Sequence, residues 1–306
     1  MHFAEPYKLH EKPLSELVGI ADAVRAERSG SDIDLCTITN AKSGACSEDC
    51  RFCAQSSHYT TDIACYPLKS KKKMVEEAAA AKSFGAHRFC IVTSGNTLSA
   101  AELALIGDAV SEITSALGMV MDASLGALSY DDLVFLKRSG LSRYHHNIET
   151  SRAFYPKIVT THDFEQRVNT IKAAKKAGLE TCSGGIIGLG ESWKDRVDMA
   201  LLLKELDVDS VPINILNPIK GTPMEGFDNI SADDAMKTVA IFRILLPGKV
   251  IKVAAGRETK FKGRQQDIFR AGANGMLIGG YLTTKGKPVE EDIKLVKEIE
   301  HIWKKG

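Results

Sequence analysis

The feature that most constrains this 306-residue sequence is a regular alternation of short apolar segments with helical patterns. Eight segments rich in β-branched and aliphatic residues have the length of strands. They cover approximately residues 33–39, 87–93, 118–123, 142–148, 179–184, 209–215, 249–254 and 275–278. Eight strand-and-helix units in one chain predict a single (β/α)8 barrel, and a doubly wound open sheet is the alternative.

Local signals mark where the intervening helices begin and end. Three helical patterns open with a serine followed three residues later by an acid, which is typical of a helix N-terminus: Ser99, Ser129 and Ser231. Most end in a glycine shortly before the next strand, as a chain that turns back towards a parallel strand requires. Further helices are predicted at about 14–27 and 288–304, and without any linker we expect residues 1–306 to form one domain.

Composition excludes several classes of function. The net charge of +1 gives no reason to expect nucleic acid or an anionic membrane surface as a partner. The N-terminus is polar, without an apolar signal segment, and no apolar run approaches the length of a membrane span. Seven cysteines are an odd number for a disulfide framework. We therefore expect reduced, metal-binding thiols in a cytoplasmic protein.

Three of the cysteines lie in one short loop after the first predicted strand. Cys46, Cys50 and Cys53 follow the spacing C-x3-C-x2-C, with Phe52 before the third. Such a loop can place three thiolates on one face of a four-iron cluster and leave the fourth iron open to a small molecule. A zinc site is the alternative, but zinc loops usually add a second Cys or His pair, which the following residues lack.

Three more cysteines lie on predicted strands. Cys36, Cys90 and Cys182 belong to the first, second and fifth strands. Each taken alone is more often a small core residue than a ligand. A barrel would direct all three towards its axis, so together they predict a second iron–sulfur site.

Polar residues at the strand ends suggest where small molecules bind. Asn147 and Glu149 share one face of the fourth strand, where an amide and a carboxylate could bind ribose hydroxyls. The alternative is that they simply form a polar end of the strand with satisfied hydrogen bonds. Asn214 interrupts an apolar strand, and a buried amide needs a partner. The glycine-rich run at 184–190 does not match the dinucleotide fingerprint and favours close approach of the backbone to a small molecule. The neighbouring His145 and His146 face opposite ways and make a poor metal chelate.

These motifs together resemble the biotin synthase family of radical S-adenosylmethionine (SAM) enzymes. The cysteine loop alone resembles the signature of the whole radical SAM superfamily, and the wider match runs from about residue 30 to residue 285. The stretches that carry it are residues 44–56, 88–90, 146–150, 182–191, 211–223, 254–258 and 271–284.

The resemblance implies a homodimeric barrel that inserts sulfur into dethiobiotin to form biotin, with electrons from reduced flavodoxin or ferredoxin. Cys46, Cys50 and Cys53 would hold a 4Fe-4S cluster whose open iron binds SAM. The family's positions then assign SAM contacts to Phe52, Asn147, Glu149, Gly184, Gly185 and Ile186. They assign substrate contacts to Asn147, Asn214, Thr283 and Thr284.

The resemblance also implies an auxiliary cluster that donates sulfur, held by Cys90, Cys182 and Arg257. One departure stands out, because Asp122 occupies the strand-three position where the family usually has a cysteine. Conversely, Cys36 stands where the family more often has serine. We therefore predict that Cys36 replaces the missing ligand. The cluster would then be either 2Fe-2S or a four-iron form with an extra sulfide.

Two other functions are consistent with the first loop. One is another radical SAM activity of the same subgroup, of the hydrogenase-maturation or methylornithine type, which does not require the Cys90, Cys182 and Arg257 set. The other is a non-catalytic iron–sulfur carrier, which would not need the SAM and substrate positions.

Overall fold

The strands form one closed parallel barrel in the computed structural model, which describes residues 5–284 and 286–305. β1 pairs with β2 on one side and with β9 on the other, which closes the sheet. β5 and β6 are consecutive pieces of one barrel position, since both pair with β7. The predicted eight-stranded barrel is thus confirmed, and the open sheet is excluded. The strands are β1 Asp34–Lys42, β2 Arg88–Thr93, β3 Val120–Ser124, β4 Leu141–His145, β5 Glu180–Cys182, β6 Gly185–Ile187, β7 Ser210–Ile215, β8 Val250–Val253 and β9 Gly275–Leu277.

Helices surround the barrel and connect most of its strands. The first begins where the pattern over 14–27 predicts it, and the last covers most of the predicted 288–304. Within the described part of the chain, no helix has both the length and the apolar character needed to cross a membrane. The helices are α1 Leu14–Ser29, α2 Lys71–Ser83, α3 Ala100–Glu112, α4 Tyr130–Arg138, α5 Phe164–Lys176, α6 Trp193–Glu205, α7 Ala232–Leu245, α8 Arg257–Phe261, α9 Gln266–Arg270 and α10 Val289–Lys305.

The serine signals act as helix caps. Ser99 and Ser129 each accept a hydrogen bond from the amide three residues on, and the acid at that position accepts one from the serine amide. Ser231 caps α7 through the amide of Asp234. Ser192 forms the same reciprocal arrangement with Asp195 at the start of α6, which the sequence analysis missed. Each cap satisfies amides that a helix N-terminus leaves without partners.

Arg243 of α7 ties together the segments that enter β8 and β9. Its side chain is fully buried, and Nε donates to the carbonyl of Gly272 at 2.7 Å. Nη1 donates to the carbonyls of Pro247 at 2.9 Å and Lys249 at 2.8 Å, and Nη2 to Oδ1 of Asn274 at 2.6 Å. Burial, together with nearby Arg25, lowers the pKa of Arg243 to about 10. The barrel thus depends on one buried cation whose partners are mostly backbone carbonyls.

We expect Arg243→Met to destabilise the barrel severely. Each buried carbonyl left without a donor costs about 1–3 kcal/mol, so the free energy of unfolding should fall by roughly 3 kcal/mol or more. Urea unfolding followed by circular dichroism measures the change. Arg270→Met is the matched control, because that side chain is 63% exposed; its effect should stay within about 0.5 kcal/mol. Equal midpoints for the two variants would contradict the role given to Arg243.

Candidate active site

A cavity of about 390 Å³ opens at the carboxyl ends of the strands. Its walls come from the loop after β1, from the inward faces of the strands, and from the segments that follow β7, β8 and β9. Most of the residues selected from the sequence line this one cavity: Cys36, Phe52, Cys53, Cys90, Asn147, Glu149, Cys182, Ile186, Asn214, Thr283 and Thr284. Catalytic groups of such barrels lie at this end.

The cysteine loop is held against the segment before α5 by two carboxylates. Asp49 accepts hydrogen bonds from the amides of Thr160 at 2.9 Å and Thr161 at 3.2 Å. Glu48 accepts from the hydroxyl of Thr161 at 2.5 Å and contacts Nδ1 of His162 at 2.6 Å. Burial opposes ionisation of Asp49, but the hydrogen bonds from the threonines lower its pKa to about 2. The loop is therefore positioned by charge-assisted hydrogen bonds.

Burial affects the protonation of two of the loop thiols. Burial raises the pKa of Cys50, and it raises the pKa of Cys53 to about 11. Bound iron reverses such shifts, because the thiolate is the ligand. Across residues 5–284 and 286–305, no three His, Cys, Asp or Glu side chains converge as a single metal ion requires. A four-iron cluster does not need such convergence, since its thiolates bind separate irons.

Cys36, Cys90 and Cys182 form a thiol layer deeper in the barrel. All three are buried, and each lies within electrostatic range of the others. Burial raises the pKa of Cys36 to about 12 and that of Cys90 well above its usual value, and Cys182 adds to both shifts. The structure therefore brings together the three strand cysteines selected from the sequence.

Cys182 differs from the other two thiols because His145 is beside it. The two residues are paired across β4 and β5. Burial alone would raise the pKa of the Cys182 thiol, but the charge of His145, helped by Lys252 and Arg143, brings it to about 7. Cys182 is thus the member of the layer that most readily becomes a thiolate.

Asp122 lies beside Cys90 across β2 and β3, but its carboxylate already has cationic partners. Nη1 of Arg88 donates to Oδ1 of Asp122 at 2.9 Å, and Arg143 Nη1 lies 3.9 Å from Oδ2. Burial still raises the pKa of Asp122, against the effect of these two arginines. Asp122 is therefore already engaged as a hydrogen-bond acceptor of Arg88.

Lys252 is a buried cation in the wall of the cavity. Its Nζ lies 2.7 Å from Oδ1 of Asp34. Burial would lower the pKa of Lys252, but Cys36, Asp34 and Cys182 together raise it. The thiol layer therefore has a positive charge directly beside it.

Arg257, expected at the auxiliary cluster, lies elsewhere. Its side chain is 1% exposed, and Nη2 donates to both carboxylate oxygens of Asp292 in α10 at 2.9 Å. It also donates to Gln265 and to the carbonyl of Leu277. Arg257 is not among the residues that line the cavity. The expectation failed because Arg257 begins a helix after β8, whereas the inward position on that strand belongs to Lys252.

Gly184 and Gly185 also differ from expectation, since they serve strand packing and do not line the cavity. A Cβ atom on Gly184 would lie 1.9 Å from the carbonyl oxygen of Pro212, and one on Gly185 would lie 2.3 Å from that of Glu149. Only glycine permits so close a backbone approach. The close approach in turn lets the Gly184 amide donate to Oδ1 of Asn147 at 3.2 Å.

The polar wall of the cavity is prearranged by hydrogen bonds. Asn147 donates through Nδ2 to Glu149 at 3.4 Å. Glu149 has a left-handed backbone conformation, with φ of 68°. Burial raises the pKa of Glu149 despite the opposing charge of Arg167. Asn214 donates to the Gly185 carbonyl at 3.4 Å and accepts from the Ala255 amide at 3.2 Å, so its amide orientation is set before any ligand binds.

Sequence reasoning missed the contribution of Lys252 and His145 to the cavity wall. Lys252 had a detectable signal, because a lysine in the middle of a short apolar strand is costly to bury unless it is paired. His145 was dismissed together with His146. However, a period of two puts His145 on the same face as Asn147. His146 is buried on the other face, where it stacks with Tyr144 at a centroid distance of 6.4 Å.

Comparisons with known proteins agree with this geometry. Residues 41–203 match the Radical SAM superfamily, and residues 212–302 match the Biotin and Thiamin Synthesis associated domain. The fold and the cysteine loop thus define a radical SAM enzyme.

Biotin synthase from Pelotomaculum thermopropionicum is 48% identical over 292 residues, which cover 95% of this chain and 91% of that protein. Biotin synthase from Thermotoga petrophila is 48% identical over 92% of this chain and 95% of its own length. The chain belongs to the biotin synthase family, whose members are radical SAM sulfurtransferases.

Solved structures support the fold alone. Methylornithine synthase superposes with a TM-score of 0.83 at 19% identity, covering 96% of this chain and 91% of that one. An FeFe-hydrogenase maturase from Carboxydothermus hydrogenoformans superposes with a TM-score of 0.83 at 18% identity, covering 97% of this chain and 74% of that one. Sequence identities this low show a shared fold and do not assign the activities of those enzymes to this chain. Both activities were alternatives that the sequence left open.

We expect Asp49→Ala to loosen the cysteine loop in the metal-free protein. Losing charge-assisted hydrogen bonds should speed hydrogen exchange at the Thr160 and Thr161 amides by on the order of tenfold, as mass spectrometry would show. Iron retained after reconstitution should fall as well. Asp62→Ala is the control, since Asp62 is exposed in the segment that follows the same loop. Unchanged exchange in Asp49→Ala would show that other contacts position the loop.

Proposed function

We propose that this protein is a biotin synthase, which inserts sulfur into dethiobiotin and cleaves SAM in the process. The observation that carries the proposal is the single cavity that brings the cysteine loop, the thiol layer and the polar strand ends together. Family membership agrees with it. A carrier of iron and sulfur would have no use for a cavity of this size with polar groups at the strand ends.

The residues of the cysteine loop fit a 4Fe-4S cluster with an open iron. Cys46, Cys50 and Cys53 would hold it, and Phe52 would cover the bound SAM from the loop side. When bound, the cluster and SAM supply the one-electron chemistry that removes hydrogen from unactivated carbon.

This chain's own residues bind, orient and exclude water. Asn147 and Glu149 would hold the ribose hydroxyls of SAM, with Ile186 as an apolar wall. Asn147 and Asn214 would bind the ureido ring of dethiobiotin, because their amides offer both donors and acceptors. The hydroxyls of Thr283 and Thr284, in the segment that follows β9, would bind the substrate carboxylate. The walls of the cavity would limit contact between a reactive radical and solvent.

A second cluster between Cys36, Cys90 and Cys182 would donate the sulfur. Three thiols around one chamber fit such a group, and the buried ammonium of Lys252 offsets part of its negative charge. Three thiolates suit a four-iron form with an extra sulfide, whereas a 2Fe-2S form requires a fourth protein ligand. Arg257 is not among the ligands that we propose for this cluster, because its guanidinium is paired with Asp292.

The net reaction replaces two C–H bonds by two C–S bonds. Two SAM molecules carry the two hydrogen atoms away as 5′-deoxyadenosine, with methionine as the second product. Reduced flavodoxin or ferredoxin supplies one electron for each SAM. As the family resemblance implies, we propose that the active form is a homodimer.

Anaerobic reconstitution with iron and sulfide, followed by addition of SAM, dethiobiotin and reduced flavodoxin, tests the proposal. Mass spectrometry should find biotin, methionine and 5′-deoxyadenosine. Cys50→Ala should abolish all three, because the open-iron cluster is lost. Its circular dichroism should stay unchanged, since the loop lies at the rim of the barrel. Iron binding without SAM cleavage would indicate a carrier, and SAM cleavage without biotin would indicate another radical reaction.

The relocated ligand gives a second prediction. Cys36→Ser should lower the iron bound at the thiol layer and abolish biotin formation, while uncoupled SAM cleavage persists. Asp122→Asn should keep that iron, because the amide oxygen can still accept from Arg88. Iron and sulfide analysis with Mössbauer spectra measures both. Loss of iron in Asp122→Asn together with its retention in Cys36→Ser would contradict the relocation.

A further inference from the structure

The auxiliary cluster proposed above, on which this inference rests, could take a further ligand from the cavity wall beside the three thiols. Beside the three thiols, the cavity wall there contains Asp122, His145 and Lys252. The Lys252 ammonium has no lone pair and is paired with Asp34. The Asp122 carboxylate accepts from Arg88 and is a harder ligand than iron–sulfur clusters prefer. The imidazole is the remaining donor.

Hydrogen bonds determine which nitrogen of His145 is free. The Gly184 amide donates to one side-chain atom of Asn147 at 3.2 Å, so that atom is the oxygen Oδ1. The same oxygen lies 2.9 Å from Nε2 of His145. Because an amide oxygen only accepts, Nε2 must carry the proton in the neutral ring. Nδ1 is then the nitrogen with the lone pair.

The surroundings of the ring direct that lone pair to the thiol layer. His145 is the cross-strand partner of Cys182, and both side chains line the same cavity. Within residues 5–284 and 286–305, the only hydrogen bond of the ring is the contact of Nε2 with Asn147. A donor nitrogen therefore lies beside one proposed cluster ligand and faces the same chamber as the other two.

We propose that Nδ1 of His145 coordinates an iron of the auxiliary cluster, alongside the thiolates of Cys36, Cys90 and Cys182. The arrangement has the usual form of a metal-bound histidine, in which the second ring nitrogen donates to a fixed oxygen that sets tautomer and orientation. A neutral imidazole in place of a thiolate removes one negative charge from the cluster. Histidine ligation raises the reduction potential of two-iron clusters, which would suit a centre that gains electrons as it gives up sulfur.

Pulsed electron paramagnetic resonance tests the ligation without any turnover. The sample is the full chain with Cys46, Cys50 and Cys53 all changed to Ala, so that only the auxiliary cluster forms. It is labelled with ¹⁵N-histidine, reconstituted with iron and sulfide, and reduced. We expect the strong nitrogen coupling of a directly bound imidazole. His145→Ala should lose that coupling and retain less iron. His87→Gln is the control, because His87 is exposed at the start of β2, and it should keep both.

The variant His145→Cys distinguishes the loss of one ligand from a general loss of structure. A fourth thiolate should restore the iron, remove the nitrogen coupling and shift the reduction potential to more negative values. A cluster with no strong nitrogen coupling, or one whose coupling survives in His145→Ala, would overturn the ligation and leave the proposed function standing. A weak coupling would mean that the imidazole only hydrogen-bonds the cluster or faces substrate. Absence of any iron in the thiol layer would instead overturn the auxiliary cluster itself.

Discussion

Closure of the barrel between β1 and β9 is the constraint on which the site depends. Three residue pairs join these strands, from Asp34 with Gly275 to Cys36 with Leu277. Without that closure, the first strand would have an open edge, and Cys36 would not share a chamber with Cys182 from the far side of the chain. Gly275 contributes space, because a Cβ atom there would lie 2.6 Å from Cγ of Lys252. The missing side chain lets the lysine stem lie inside the barrel.

Charge balance is the second condition for a chamber of this kind. Below the thiols, the carboxylates of Asp34, Asp122 and Glu180 meet the cations of Arg88, Arg143 and Lys252 at distances between 2.7 and 3.9 Å. Isolated charges would be expensive at this depth, but a balanced set with mutual hydrogen bonds is tolerated. The cations also lower the cost of placing several thiolates in a buried site. The floor of the barrel and the chemistry above it are therefore one electrostatic unit.

The cysteine loop is organised differently, at the rim. Its carboxylates accept hydrogen bonds from the segment before α5, and that segment leads to Arg167, which donates to the carbonyl of Asn147 at 3.0 Å. The loop that would hold the cluster and the strand end that would hold the nucleoside are thus joined through one short stretch of chain. Rigid support of this type is what positions reacting groups to within a fraction of an ångström.

The sequence by itself determined the barrel, the approximate bounds of its strands and the two cysteine sets. Strand and helix periodicities are local, and inward-facing positions follow from a period of two once the barrel is recognised. Only the tertiary structure decided the rest. Arg257 looked like a ligand, but it pairs with Asp292 from α10, a contact between distant segments that no local pattern contains. His145 and Lys252 became part of the site because the closed barrel arranges β4, β5 and β8 around one cavity. Gly184 and Gly185 proved to serve strand packing, because whether a glycine admits a ligand or another backbone depends on what the fold places against it.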